Sequence, residues 1–197
     1  MGGTPHNGAR LGRGCMVGPA VTAADRPSGQ NFDDCPACGL TAPITSGPSP
    51  DEVNASAGCF ALYGELLALE FTDPAYRRVH QVTVDAYAAQ HAGGTSRREV
   101  QTVALCLMTL CLFIENGVDP AEGPALHKRM VARRPDFTWL APPPQRDLLT
   151  VADVLTARDA EEHRHLVRKW GGQVWQAWTP HHSTVRAWNA YSLIPPP

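Results

Sequence analysis

From about residue 56 onward, the apolar positions of this chain fall into helical spacing. Ser56 to Glu70 carries Phe60, Leu62, Tyr63, Leu66, Leu67 and Leu69, which predicts a short helix. Asp73-Pro74 then supplies an N-cap and a proline at the first helical position. The helix it opens is expected to run unbroken to about His91, where Gly93-Gly94 closes it. Tyr76, Val79, Val82, Ala86 and Ala89 mark its apolar face. Ser96, followed three residues later by Glu99, is a capping box for a third helix. From Val103 to Ile114, eleven of twelve residues are apolar, Thr109 being the exception. A helix apolar all round is buried all round, and this one is too short to cross a bilayer, so it predicts the centre of a bundle.

Weaker helical patterns follow at Pro120–Ala132 and Thr150–Ala157, the second with Asp153 at its capping-box position. A long helix is expected from Asp159 to Trp178. Thr179-Pro180 then repeats the cap-plus-proline signal before a last helix from His181 to Tyr191. No segment alternates in the manner of a half-buried strand. The expectation is an all-α fold, a single helical bundle of about five to seven helices.

Ahead of the bundle the text changes. Residues 1–50 hold nine glycines and seven prolines, against eight and eleven in the remaining 147 residues, and this shift marks a boundary. Residues 1–33 read as a disordered tail, and 34–194 as one helical domain that begins with a cysteine knuckle. Seventeen basic against nineteen acidic residues give a net charge of -2, which removes the electrostatic reason to expect a nucleic-acid partner. No apolar run suggests a membrane partner, so a small molecule or a protein is the expected partner class. Arginine outnumbers lysine fifteen to two and alanine numbers twenty-six, as GC-rich bacterial coding produces, so neither excess is read as function. Six cysteines are too few for a disulfide scaffold, and no secretory signal is readable. The expected compartment is the cytoplasm, where thiols stay reduced and a cysteine cluster points to metal or catalysis.

Cys35 and Cys38 form C-x2-C, a turn that aims two sulfurs at one ion, and Gly39 supplies the backbone freedom such a turn uses. Structural zinc usually takes four ligands. Twenty residues separate Cys38 from Cys59, and another twenty separate Cys59 from His80. A zinc site of Cys35, Cys38, Cys59 and His80 follows as the candidate set. The competing readings are an inert turn or a cycling dithiol at the knuckle, and a small buried apolar residue at Cys59. Cys106 and Cys111, inside the apolar helix, read as buried thiols, and Cys15 is assigned nothing.

His80 and His91 are eleven residues apart. On one continuous helix they share a face but stand about 16 Å apart along the axis, too far to hold one ion. Asp85, between apolar neighbours, needs a partner such as Arg97 or Arg98, or else it is an acid or base in a cleft. His163 and His181 each begin a tryptophan-bearing stripe and are expected to face a common interior pocket. Asp85, His91, His163 and His181 are therefore the catalytic candidates, although no nucleophile elbow, phosphate loop, dinucleotide fingerprint or HExxH decides whether the chain is an enzyme. Three functions remain: a zinc-stapled binding or regulatory module, a metal-dependent enzyme using His80, Asp85 or His91, and a metal-free small-molecule binder using the His163/His181/Trp pocket.

The segments Cys35-Pro36-Ala37-Cys38-Gly39, Gly58-Cys59 and Val79-His80 through Val84-Asp85-Ala86-Tyr87 to Gln90-His91, with the ending Trp178-Thr179-Pro180-His181-His182, carry a resemblance. Over about Cys35 to Trp188 the chain resembles a bacterial family of uncharacterised proteins, domain of unknown function 5946. The resemblance implies no activity. It implies that these thiol and imidazole positions are the ones to test.

Overall fold

The computed structural model describes residues 31–46 and 53–193. Most of the expected tail, Cys15, part of the proline- and serine-rich loop and the terminal prolines lie outside the described residues. Phe32 and Asp33, placed in the tail by sequence, pair instead in a short hairpin. Strand β1 (Phe32–Asp34) runs antiparallel to β2 (Thr41–Pro43), with Phe32 opposite Pro43 and Asp34 opposite Thr41. Three residues per strand are too few to display an alternating pattern, which is why the sequence shows none.

The rest is helical: α1 (Ala57–Thr72), α2 (Pro74–Arg77), α3 (His80–Gln90), α4 (Arg97–Glu115), α5 (Gly123–Ala132), α6 (Val151–Leu155), α7 (Ala160–Ala177) and α8 (His182–Leu193). Single 3-10 turns precede α5 and α8. Helix α4 is the centre, as its all-apolar stretch requires. It buries every residue from Ala104 to Cys111, and α3, α5, α7 and α8 pack on it. Its Ser96–Glu99 capping box is formed in both directions. Helix α7 brings Trp170 and Trp178 into the core fully buried, and their indole N–H groups donate to the Gln90 Oε1 (2.9 Å) and the Ala89 carbonyl (3.3 Å). A Cβ on Gly171 would sit 2.6 Å from the Val82 side chain, so this glycine lets α7 lie close against α3.

The unbroken helix expected from Pro74 to His91 is divided at Arg78-Val79 into α2 and α3. Asp73 caps α2 through the Ala75 N–H. At the break Val79 is fully buried, and α3 starts without a side-chain cap of its own. Glu70, in the last turn of α1, instead engages the side chains of His80 and Thr83 in the first turn of α3. The short α2 thus works as the corner of a hairpin, and α3 returns antiparallel to α1. Among the described residues no helix is long and apolar enough to cross a membrane.

Candidate metal centre

The knuckle is built by its turn. Cys35 N–H donates to the Leu40 carbonyl and Gly39 N–H to the Cys35 carbonyl, each at 2.9 Å. Gly39 has a positive φ of 76°, a conformation that a residue with a Cβ rarely adopts. The turn closes the β1–β2 hairpin and points Cys35 and Cys38 at the start of α1. There Ser56 caps the helix by accepting the Cys59 N–H, which fixes Cys59 in the first turn. The hairpin can come this close because residue 58 is glycine: a Cβ there would collide with the Pro43 carbonyl oxygen and lie 2.9 Å from the Ala42 Cβ.

The fourth member comes from the far end of α3. His91 Nε2 lies 3.4 Å from Cys59 Sγ, and Cys59 Sγ lies 3.9 Å from Cys38 Sγ. Ligand atoms of Cys35, Cys38, Cys59 and His91 all fall within 4.8 Å of one another. His91 Nδ1 is engaged by the Tyr87 carbonyl at 2.8 Å, which orients the ring and leaves Nε2 for the sulfurs. Tyr87 also stacks its ring on His91, and its hydroxyl lies 3.7 Å from Cys59 Sγ. Burial and the neighbouring thiols push the Tyr87 hydroxyl up, so it stays protonated beside that sulfur.

Proton sharing among the sulfurs follows from this crowding. Hydrogen bonds from Cys38 and Cys59 pull the Cys35 thiol well down, while the same sharing and burial push Cys59 well up. Burial opposes a charge on His91, but bonds to Cys35 and Cys38 outweigh it and lift the imidazole to about 9. All four residues are buried, with His91 only 1% exposed. The set is a buried three-cysteine, one-histidine cluster that can hold a metal ion.

Of the expected ligands, Cys35, Cys38 and Cys59 are brought together. His80 is not among them, and His91 takes the fourth place, a residue that the sequence offered as a catalytic candidate and as part of a metal-dependent enzyme. His80 bonds Glu70 through Nδ1 at 2.7 Å, and the same carboxylate accepts from His163 Nε2 at 3.1 Å and from the Thr83 hydroxyl. Burial works against ionising Glu70, but the bonds from His163, His80 and Thr83 prevail and hold its carboxyl below the usual range.

The other candidates are dispersed. Asp85 is fully buried on α3, yet Thr109 (2.6 Å) and Gln81 (3.0 Å) hold it, in place of the expected Arg97 or Arg98. Burial raises the Asp85 carboxyl to about 7 against the pull of those bonds. His163 and His181 do not share a pocket: His163 lies in the first turn of α7 on Glu70, whereas His181 follows the other end of α7 and meets the Ala141 carbonyl at 2.9 Å. The two buried tryptophans between them fill the core. Glu70, Tyr87, Thr109 and His127, which lies 3.7 Å from Asp85, take part in these clusters without having been site candidates in the sequence.

The class defined by this fold and site is an all-α bundle with a buried Cys3His cluster. Residues 33–179 match the model of a family described as a family of unknown function (DUF5946), and the chain belongs to that family. No curated protein and no solved structure matches it.

Proposed function

We propose that this chain is a zinc-stapled binding module in which Cys35, Cys38, Cys59 and His91 hold one zinc ion as a structural centre. The spacing of the donors carries the reading. A tetrahedral zinc with bonds of about 2.3 Å to sulfur and about 2.0 Å to nitrogen sets its ligand atoms roughly 3.5–3.8 Å apart. Observed separations of 3.9 Å between Cys38 and Cys59 and 3.4 Å between Cys59 and His91 fit that ion. Four buried protein donors fill its coordination and leave no position for a substrate, which favours stapling over catalysis. The staple joins the hairpin, the start of α1 and the end of α3. Asp85, His163 and His181 are each occupied by local bonds away from the four donors, which argues against an enzyme built around the ion.

Reduced thiols are required, so a cytoplasmic setting suits the site. The test is elemental mass spectrometry on protein purified without added metal or a polyhistidine tag. The expected result is about one zinc per chain, with Cys38→Ser lowering metal content and melting temperature together. A folded wild-type protein free of metal, or a Cys38→Ser protein that keeps both properties, overturns the proposal.

A further inference from the structure

Beside α4 lies a second concave site that the metal centre does not use. Its cavity, about 460 Å³, is lined by Arg97 and Val100 on the first turns of α4 and by Arg134, Phe137 and Trp139 on the segment after α5. That volume is within the roughly 300–1,000 Å³ of small-molecule pockets. Trp139 is 48% exposed, a large aromatic face left to solvent. Arg97 makes no hydrogen bond or ion pair to another described residue. Arg134 spends one N–H on Gln101 at 2.7 Å, leaving the rest of its guanidinium available. Asp136 also lines the cavity, one carboxylate against two guanidinium groups. An aromatic face beside an excess of guanidinium suits a ligand that is flat at one end and negatively charged at the other.

From this we infer that the cavity binds a small aromatic anion, a planar ring carrying a phosphate or a carboxylate. The ring lies against Trp139 and Phe137, and the charged group meets Arg97 and Arg134. The inference rests on the binding-module reading and gives it a ligand class. It also connects the two sites. A small neighbouring cavity is lined by Trp139 together with Ala92, Gly93 and Gly94, and these three directly follow His91 of the Cys3His cluster. An ion held by His91 therefore steadies residues that share a cavity with Trp139.

The test is isothermal titration calorimetry of the purified chain with phenyl phosphate, benzoate and neutral benzyl alcohol, with the metal content of each sample measured in parallel. Expected is binding of at least one anion ten-fold or more tighter than benzyl alcohol; which anion wins identifies the charged group. Arg97→Glu and Trp139→Ala are expected to weaken that binding ten-fold or more while the circular dichroism spectrum stays unchanged. Arg97 is exposed, so its variant keeps the test valid if Trp139→Ala fails to fold. No binding of any probe, equal binding of neutral and anionic probes, or full binding by a folded Arg97→Glu protein overturns the inference. Metal without ligand binding sinks this site alone, and ligand binding without metal sinks the zinc reading alone.

Discussion

His91 can serve the cluster because its other nitrogen is already committed to the Tyr87 carbonyl. An imidazole fixed in this way loses little freedom when Nε2 meets an ion. His91→Ala is expected to reduce bound metal well below one equivalent. A loss of about 3 kcal/mol corresponds to a fall of roughly 6–12 °C in melting temperature for a chain of this size. His80→Ala is expected to keep full metal content, because His80 serves Glu70, and elemental analysis of the two variants separates these outcomes. Asp85 gives a second prediction, with its sign fixed by linkage. Its carboxyl is raised to about 7 in the fold against an ordinary value of 3.8, so between these values the folded chain binds the extra proton. The stabilising contribution is complete below about pH 4 and is lost as pH rises toward about 7. Asp85→Asn removes this slope: the variant is expected to match the wild type near pH 5 and to exceed it by about 1–3 kcal/mol at pH 8. Denaturant titrations of both proteins at the two pH values check it, and equal differences at both would exclude a buried carboxyl as the cause. The need of Asp85 for a partner was legible from its apolar neighbours. That Thr109 is the partner was not, because the pairing joins two residues 24 apart on different helices.

Between elements, the register of α1 against α3 decides who meets whom. The hairpin turns about Ala75. Cys59 and His91 stand sixteen residues to either side of it, Tyr63 and Tyr87 twelve, and Glu70 and His80 five. Each pair is in contact: the first within the Cys3His cluster, the second as rings stacked at 3.8 Å, the third as a hydrogen bond. Equal spacing along the chain had favoured His80 as a ligand. Antiparallel geometry instead sends His80 to the end of α1 and His91 to its beginning. The caps at Asp73 and Ser96 were readable in sequence, and so was the helix that Ser96 begins. The break at Val79 was not, since it depends on Glu70 arriving from α1 to engage the start of α3. Likewise the three knuckle and α1 cysteines were legible as a set, while the fourth donor awaited the fold. The contact of β2 with α1 supplies a third prediction. Gly58→Ala must push the hairpin away from α1, because the new methyl meets the Pro43 carbonyl and Ala42. Overpacking of this kind costs about 1–3 kcal/mol. Competition with a chromophoric chelator is expected to show weaker metal retention than in the wild type, and unchanged retention would mean that the knuckle can retreat without moving Cys35 and Cys38.

For the whole molecule the question is how much of the fold depends on the ion proposed for the cluster. Among the largest buried side chains, Trp170, Leu107, Met108 and Leu110 belong to α4 and α7 and Trp178 caps α7, whereas Tyr87 touches Cys59 and His91 of the cluster. The hairpin, in contrast, holds to the helices through β2 on α1 and through the cluster itself. The segment before α1 is tied in similarly, by Asn54 N–H donating to the His91 carbonyl at 2.8 Å. A large apolar core sustains its helices without help, whereas a short two-stranded hairpin is marginal alone. Removing the ion with a high-affinity chelator is therefore expected to open the molecule locally. Far-UV dichroism should keep most of the helical signal while the melting temperature falls. Hydrogen exchange should accelerate in residues 32–43 and 53–60 and stay slow across 104–111, the most deeply buried part of α4. Loss of protection across α4 as well would make the ion a condition of folding for the whole bundle. No change anywhere would count against a metal at the four residues. A staple of the local kind also loosens Ala92–Gly94, which share a cavity with Trp139, when it is withdrawn, so weaker binding of an aromatic anion should accompany the faster exchange at the hairpin.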